Sequence, residues 1–385
     1  MRIALIFGLL IVLAFVFAAF RRPLSNIPSQ FHELTHHNES SVASLIQDCN
    51  ASSKEAPVRW SDFAYVQYVT NPNYLCNSLM ILEALRRHGT KAELLMLYPQ
   101  GWEVPAENAS NAPYESRLLA QARDLYNTKL RPIQVKRFEN KDDPTWQDSY
   151  TKLLAWNQTQ YKRLISLDSD ATVLDHMDEL FLLPPAPVAM PRAYWMDHFF
   201  LSSQLIVVEP SETEWQRVQD AVEHHDGNDY DMDILNKLYG TSSIVIPHRK
   251  YDLLTGELSG EKHEAYLGSS KEIWNIREVL GEAKFVHFSD WPMPKPWLEA
   301  KQEDWDKYKP KCRRISETEY NCSDQEAWLE LRRDFSARRE VGCGHLARDN
   351  ATDNHQRICG QAYDGKAPDH QKRATLRPKY EPLIM

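Results

Sequence analysis

The stretch that decides the fold is Tyr150–Phe181, YTKLLAWNQTQYKRLISLDSDATVLDHMDELF. Its centre is a short apolar run, Leu164-Ile165-Ser166-Leu167, leading straight into Asp168-Ser169-Asp170. In an open α/β sheet the ligand site lies beyond the carboxyl ends of the strands, so two carboxylates placed there can hold a divalent cation against a substrate. Upstream, Lys152, Leu153, Trp156 and Tyr161 fit a helix with one face on the sheet. Downstream, Val173, Leu174, Met177, Leu180 and Phe181 resume an apolar pattern, so the acids sit in a gap between two buried segments. Such a gap suits a metal-bound diphosphate.

Working outward, the chain of 385 residues is long enough for one α/β domain with appendages, and its net charge of −9 carries no basic footprint for nucleic acid. Ile3–Phe20 is an unbroken apolar run between Arg2 and Arg21-Arg22. At about 1.5 Å per residue it just crosses a hydrocarbon layer of roughly 30 Å, and it is longer than a signal-peptide core of about 7 to 15 residues. An uncleaved anchor over residues 1–22 is expected, followed by a Ser-, Asn- and His-rich stem over 23–58, a catalytic domain over 59–300 and a cysteine-containing extension over 301–385. Sequons at Asn38, Asn50, Asn108, Asn157, Asn321 and Asn350 and an even count of six cysteines suit the secretory route. Six cysteines allow fifteen pairings.

The domain opens with a strand over Asp62–Thr70, a turn Thr70-Asn71-Pro72-Asn73-Tyr74, a helix closing at Gly89 and a second strand over Ala92–Tyr98. This β-α-β start is the nucleotide-binding half of a Rossmann-like sheet. Further strands are expected over Pro132–Phe138, Val188–Tyr194, Gln204–Val208 and Ser243–Pro247, with a helix from about Thr145 and another over Trp215–Val222. No G-x-G-x-x-G follows the first strand and no P-loop occurs, which disfavours a dinucleotide-linked oxidoreductase and a P-loop kinase. Near the end of the domain an apolar segment closes on His287, where a neutral imidazole is a plausible third ligand beside two carboxylates. By residue type alone His287 is equally a core imidazole, Tyr74 a first-turn aromatic, Lys152 a solvated cation and Asp231 a helix N-terminal acid.

The central stretch resembles the glycogenin-like glycosyltransferases, a retaining family with a T-K-L…W…Q-Y…D-x-D…L…D-L-F run in this order. The resemblance covers about Asp62–Trp297 and implies an α/β, Rossmann-like GT-A fold, with a mixed, mostly parallel sheet and helices on both faces. It implies that Asp168, Asp170 and His287 hold Mn²⁺ on the two phosphates of a UDP-sugar. By position, Thr70, Asn71 and Tyr74 inherit the uracil cradle from the family's T-N-x-x-Y, Lys152 and Ser169 join the donor site, and Lys295 meets the diphosphate as in H-F-x-G-x-x-K-P-W. Three departures stand out. Ser202-Ser203-Gln204 replaces N-S-G, Asp231-Met232 replaces D-Q, and the phosphate loop gains two residues and loses its glycine, with Asp290 nearby. Asp231 is the candidate contact to sugar or acceptor.

The anchor, sequons and altered sugar pocket resemble fungal N-acetylglucosaminyltransferases that decorate mannose chains. The expectation is therefore a single-pass type II Golgi enzyme moving N-acetylglucosamine from a UDP-sugar to a luminal glycan or glycoprotein. UDP-glucose or UDP-galactose as donor, or a non-catalytic luminal protein binding glycan or nucleotide on the same scaffold, are the alternatives; a nucleotide-sugar hydrolase lacks a water-activating base that the sequence singles out.

Overall fold

A computed structural model describes residues 57–106, 111–135, 149–226 and 229–344. The Ile3–Phe20 run, the stem to residue 56 and the end of the extension lie outside the described residues. No described helix is long and apolar enough to cross a membrane.

The main sheet contains β1 (Phe63–Tyr68), β2 (Glu93–Pro99), β3 (Thr128–Ile133), β4 (Arg163–Leu167), β6 (Val188–Pro191), β7 (Leu205–Val208) and β8 (Ile244–Ile246). Their order is β3-β2-β1-β4-β7-β6-β8. Pairing is parallel from β3 to β4 and between β6 and β8, and antiparallel on both sides of β7. The expected class is observed: a mixed, mostly parallel α/β sheet. All five residues of β4 are buried, as a strand covered on both faces requires.

Helices α1 (Pro72–Arg87) and α2 (Tyr114–Tyr126) cover one face, packing Leu75, Leu79, Leu82, Leu118 and Leu119 into a cluster with Tyr65, Leu94 and Ile165. On the other face lie a 3₁₀ segment, Ser149–Asn157, and helices α3 (Glu212–Glu223) and α4 (Asp231–Tyr239). Buried Trp156 stacks on Tyr239 of α4 with ring centroids 6.0 Å apart, fixing the 3₁₀ segment against that helix. A second sheet of three short strands, β5 (Ala171–Val173), β10 (Phe285–His287) and β9 (Leu253–Leu254), crosses the carboxyl end of β4. Around it pack α5 (Ile276–Glu282) and, from the extension, α6 (Gln302–Tyr308) and α7 (Ser323–Arg339).

The structure differs from the sequence reading in three places. The third strand lies at Thr128–Ile133, not Pro132–Phe138, because the polar TKLRPI pairs in register with β2 as the sheet's edge, where Pro132 is tolerated. The turn ascribed to Thr70–Tyr74 is shorter: Pro72 is already helical, with Asn71 as N-cap. The helix carrying Lys152 is a 3₁₀ segment, and Tyr161 lies beyond it in a turn.

The described part of the extension is tied to the domain at two places. Asp290 receives the Trp328 indole N–H at 3.0 Å and Arg332 at 3.1 Å, an ion pair buried on both sides. Disulfides join Cys76 to Cys343 and Cys312 to Cys322. The first links α1 to the segment after α7 across 267 residues, so its loss releases a large loop in the unfolded chain. Cys343→Ser is expected to lower unfolding free energy by about 2–5 kcal/mol, measured as a lower denaturant midpoint under oxidising conditions; an unchanged midpoint would show that the link adds no stability.

Candidate active site

The site is built where β4 runs out. Gln67, fully buried in β1, donates from Nε2 to the Leu167 carbonyl at 2.8 Å and braces the strand end. One residue on, the Tyr68 hydroxyl donates to Asp168 Oδ1 at 3.2 Å. On the other side the Asp168 amide donates to the Gln204 carbonyl at 2.9 Å, extending the β4–β7 ladder by one step. The chain then turns through buried Ser169 into β5, which pairs antiparallel with β10 so that Ala171 faces His287. The Phe288 amide donates to the Asp170 carbonyl at 2.9 Å, so both flanks of the D-x-D turn are held by backbone ladders.

These pairings gather side chains more than a hundred positions apart. His287 Nε2 lies 3.0 Å from Asp170 Oδ1, and one ligand atom from each of Asp168, Asp170 and His287 falls within 4.8 Å of the others. Two carboxylate oxygens and an imidazole nitrogen at that mutual spacing fit a single divalent ion with bonds of about 2.0–2.3 Å. Lys295 donates to Asp170 Oδ2 at 2.7 Å and also to the Phe288 carbonyl.

A second cluster adjoins the first. Lys152 Nζ is buried, 2.8 Å from Asp168 Oδ1, 2.8 Å from Asp231 Oδ2 and 3.0 Å from the Ser203 carbonyl. The Ser203 hydroxyl donates to Asp231 Oδ2 at 2.7 Å. Asp231 is the first residue of α4, the helix N-terminal acid of the sequence reading, and it is also a partner of Lys152, which the sequence did not suggest. Thr70 and Asn71 sit at the end of β1, where the Asn71 side chain accepts the Asn73 and Tyr74 amides, at 3.1 and 3.2 Å. The Tyr74 ring meets Trp297 edge-on at 6.0 Å. Asp290 points away from the phosphate loop into its ion pair with Arg332, so the altered loop serves to dock α7.

The electrostatics separate the two aspartates. Burial works against ionisation of Asp170, but His287 and Lys295 outweigh it and hold its carboxyl well below the usual range. Burial raises Asp168, with Lys152 opposing and Asp170 adding to the rise. Burial alone would lower Lys152; Asp168 and Asp231 reverse that and keep it charged.

Sequence reasoning missed Ser203 as a participant, and Gln67, Tyr68 and Asp252 altogether. Asp252 precedes β9 and is fully buried; only the Ser202 hydroxyl approaches its carboxylate, and neither oxygen makes a hydrogen bond of ordinary geometry. Nothing in Lys250-Tyr251-Asp252-Leu253-Leu254 marks it out beyond an acid entering an apolar pair. His287 Nδ1 is likewise buried without a partner.

A Rossmann-like sheet with a metal-type triad at the carboxyl end of its central strand, flanked by two lysines, is an arrangement that can hold a divalent cation against a phosphorylated ligand. No family model matches the chain. Among curated proteins it is 47% identical over 307 residues to glucose N-acetyltransferase 1 of Gibberella zeae, covering 78% of this chain and 63% of that protein. It is 43% identical over 300 residues to glucose N-acetyltransferase 1 of Aspergillus fumigatus, covering 74% of this chain and 78% of that one. More distantly, it is 27% identical over 274 residues to human glycogenin-2, covering 68% of this chain and 49% of that one. The chain belongs to the fungal glucose N-acetyltransferase 1 family.

The Asp252 carboxyl is pushed up to about 7 by burial, with Ser202 and His287 opposing and Asp168 adding to the rise. Its folded-state value thus exceeds that of an unfolded Asp. Its share of stability is full below pH about 4 and is lost as pH rises toward 7. Metal-free Asp252→Asn should therefore melt above the wild type at pH 7.5, by the equivalent of a few kcal/mol, and the gap should close as pH falls to 4. Melting curves across that range check it; a variant less stable at pH 7.5 would contradict the burial argument.

Proposed function

We propose that this protein transfers N-acetylglucosamine from UDP-N-acetylglucosamine to a glycan or glycoprotein acceptor, such as mannose chains. The observation that carries this reading is the convergence of Asp168, Asp170 and His287 beside Lys152 and Lys295. Two carboxylates and an imidazole suit Mn²⁺ better than Mg²⁺. When bound, that ion supplies Lewis-acid neutralisation of the departing diphosphate.

The chain's own residues do the rest. Lys295, tied to Asp170 and the Phe288 carbonyl, adds a fixed positive charge at the place where charge develops on the leaving group. Lys152 holds Asp168 and Asp231 in one arrangement, so the metal side and the sugar side of the site move as a unit. Asp231, braced by the Ser203 hydroxyl, is the group that orients the sugar or acceptor hydroxyl. With its Oδ2 engaged by both Lys152 and Ser203, Asp231 is a poor covalent nucleophile, which favours same-face attack assisted by the departing phosphate.

The name of its relatives joins glucose to an N-acetyl group and supports N-acetylglucosamine as the sugar moved. Two carboxylates and an imidazole that can hold a divalent ion, with two lysines beside them, suit a metal-bound diphosphate. The apolar run Ile3–Phe20, the sequons and the two disulfides support a single-pass type II protein with its catalytic domain in the Golgi lumen.

The test is donor hydrolysis and transfer with several UDP-sugars in the presence of Mn²⁺. Asp170→Ala is expected to reduce turnover by at least a hundredfold, since it removes a ligand and the partner of both His287 and Lys295; equal turnover in wild type and variant would remove the metal-dependent mechanism.

A further inference from the structure

Two buried polar groups beside the site lack a hydrogen-bond partner at ordinary geometry: Nδ1 of His287, and the carboxylate of Asp252, which only the Ser202 hydroxyl approaches. Their exposures are 7% and 0%, so water does not satisfy them from outside. A buried unpaired carboxylate costs several kcal/mol, and such a group calls for a role that only another state of the site fulfils.

The strand geometry relates the two. Strands β9 and β10 are parallel, with Leu253 beside Val286 and Leu254 beside His287. Asp252 is the C-cap of the short helix His248–Tyr251 and immediately precedes Leu253, so it enters β9 two positions before the residue paired with His287. Continued by one residue, the strand alternation would put Asp252 on the same face as His287. Diagonal neighbours of this kind have Cβ atoms about 7–8 Å apart, within reach of an imidazole and a carboxylate turned toward each other. His287 is also among the charges that act most strongly on Asp252.

We infer that Asp252 is the positioning residue of the metal site: its carboxylate accepts the Nδ1–H of His287 and leaves the Nε2 lone pair facing Asp168 and Asp170. A metal-bound histidine commonly donates its other ring N–H to a carboxylate, which fixes the tautomer and raises the basicity of the ligating nitrogen. A divalent ion on His287 strengthens Nδ1–H as a donor and favours the ionised carboxylate. The pairing thus tightens as the site loads. The carboxylate that costs stability in the metal-free protein is the one that orders the ligand. This inference rests on reading Asp168, Asp170 and His287 as ligands.

The experiment measures Mn²⁺ affinity of the full-length chain by calorimetry without donor, for wild type, Asp252→Asn and Asp252→Ser, each checked for fold by near-UV circular dichroism. The variants are expected to bind Mn²⁺ 10- to 100-fold more weakly. A nearby carboxylate would also weaken binding through its charge alone, so Asp252→Asn is repeated in a His287→Gln background, where no Nδ1–H exists. There the further loss should be less than twofold. Wild-type affinity in both variants, or an equal loss in both backgrounds, overturns the role assigned to Asp252 while leaving the metal reading intact. Absence of saturable Mn²⁺ binding by the wild type overturns both.

Discussion

The three-residue pairing of β5 with β10 is the constraint on which the site depends. The turn after β4 could project its aspartates in many directions; what fixes them is that the chain re-enters a ladder at once, with Ala171 opposite His287 and the Phe288 amide on the Asp170 carbonyl. An isolated pair of such short strands is not stable in water. Here β9 adds a third strand, and the buried side chains of Val173, Phe285, Val286 and Leu253 anchor both faces. The hydrocarbon burial that stabilises the small sheet is thus also what brings a nitrogen ligand to two oxygen ligands across 117 residues of chain.

Placing these charges out of water has consequences that run in opposite directions. Asp170 is stabilised as an anion by one imidazole and one ammonium, whereas Asp168 shares Lys152 with Asp231 and bears the desolvation with less compensation. Removing one partner of such a network leaves a buried charge unpaired, which is far more costly than the pair is favourable. The clusters are therefore coupled through Asp168: it belongs to the triad by one carboxylate oxygen and to the Lys152–Asp231–Ser203 network by its pair with Lys152. The Trp156–Tyr239 stack sets this coupling, because it holds the 3₁₀ segment bearing Lys152 against the helix whose first residue is Asp231.

What was legible in the sequence follows burial. Strands β1, β4 and β7 read as continuous or alternating apolar runs because both their faces are covered. Strand β3 did not, since an edge strand with exposed Lys129 carries polar residues and a proline. Strands β5 and β9, three and two residues long, are too short to show any period. The triad was readable as a set only through the family resemblance, because nothing in the chain between Asp170 and His287 announces that the two meet. Asp252 was invisible for a different reason: its significance lies in being a buried carboxylate without a hydrogen bond of ordinary geometry, and that is a property of the packed structure.

The extension takes up the loop between His287 and Lys295, where the sequence departs from the glycogenin-like H-F-x-G-x-x-K-P-W pattern. Asp290 stands near the position of the missing glycine, and its carboxylate is taken by Trp328 and Arg332, the latter also stacked on Trp328 and Trp305. That fixes one end of the loop to α7, while Lys295 fixes the other to Asp170. The same helix reaches further: Arg338 donates to Thr172 in β5, and Arg339 bonds the Asn73 carbonyl and side chain at the start of α1, where the Cys76–Cys343 link is also made. A single helix thus touches β5, the loop that carries Lys295 and the turn of Thr70, Asn71 and Tyr74. In a site where charge complementarity requires each ligand to be held in place before the substrate arrives, rigid coupling of those three segments substitutes for the tight glycine turn. A loop with two extra residues and no positive-φ glycine would otherwise be free to move, and the helix removes that freedom by holding it from outside.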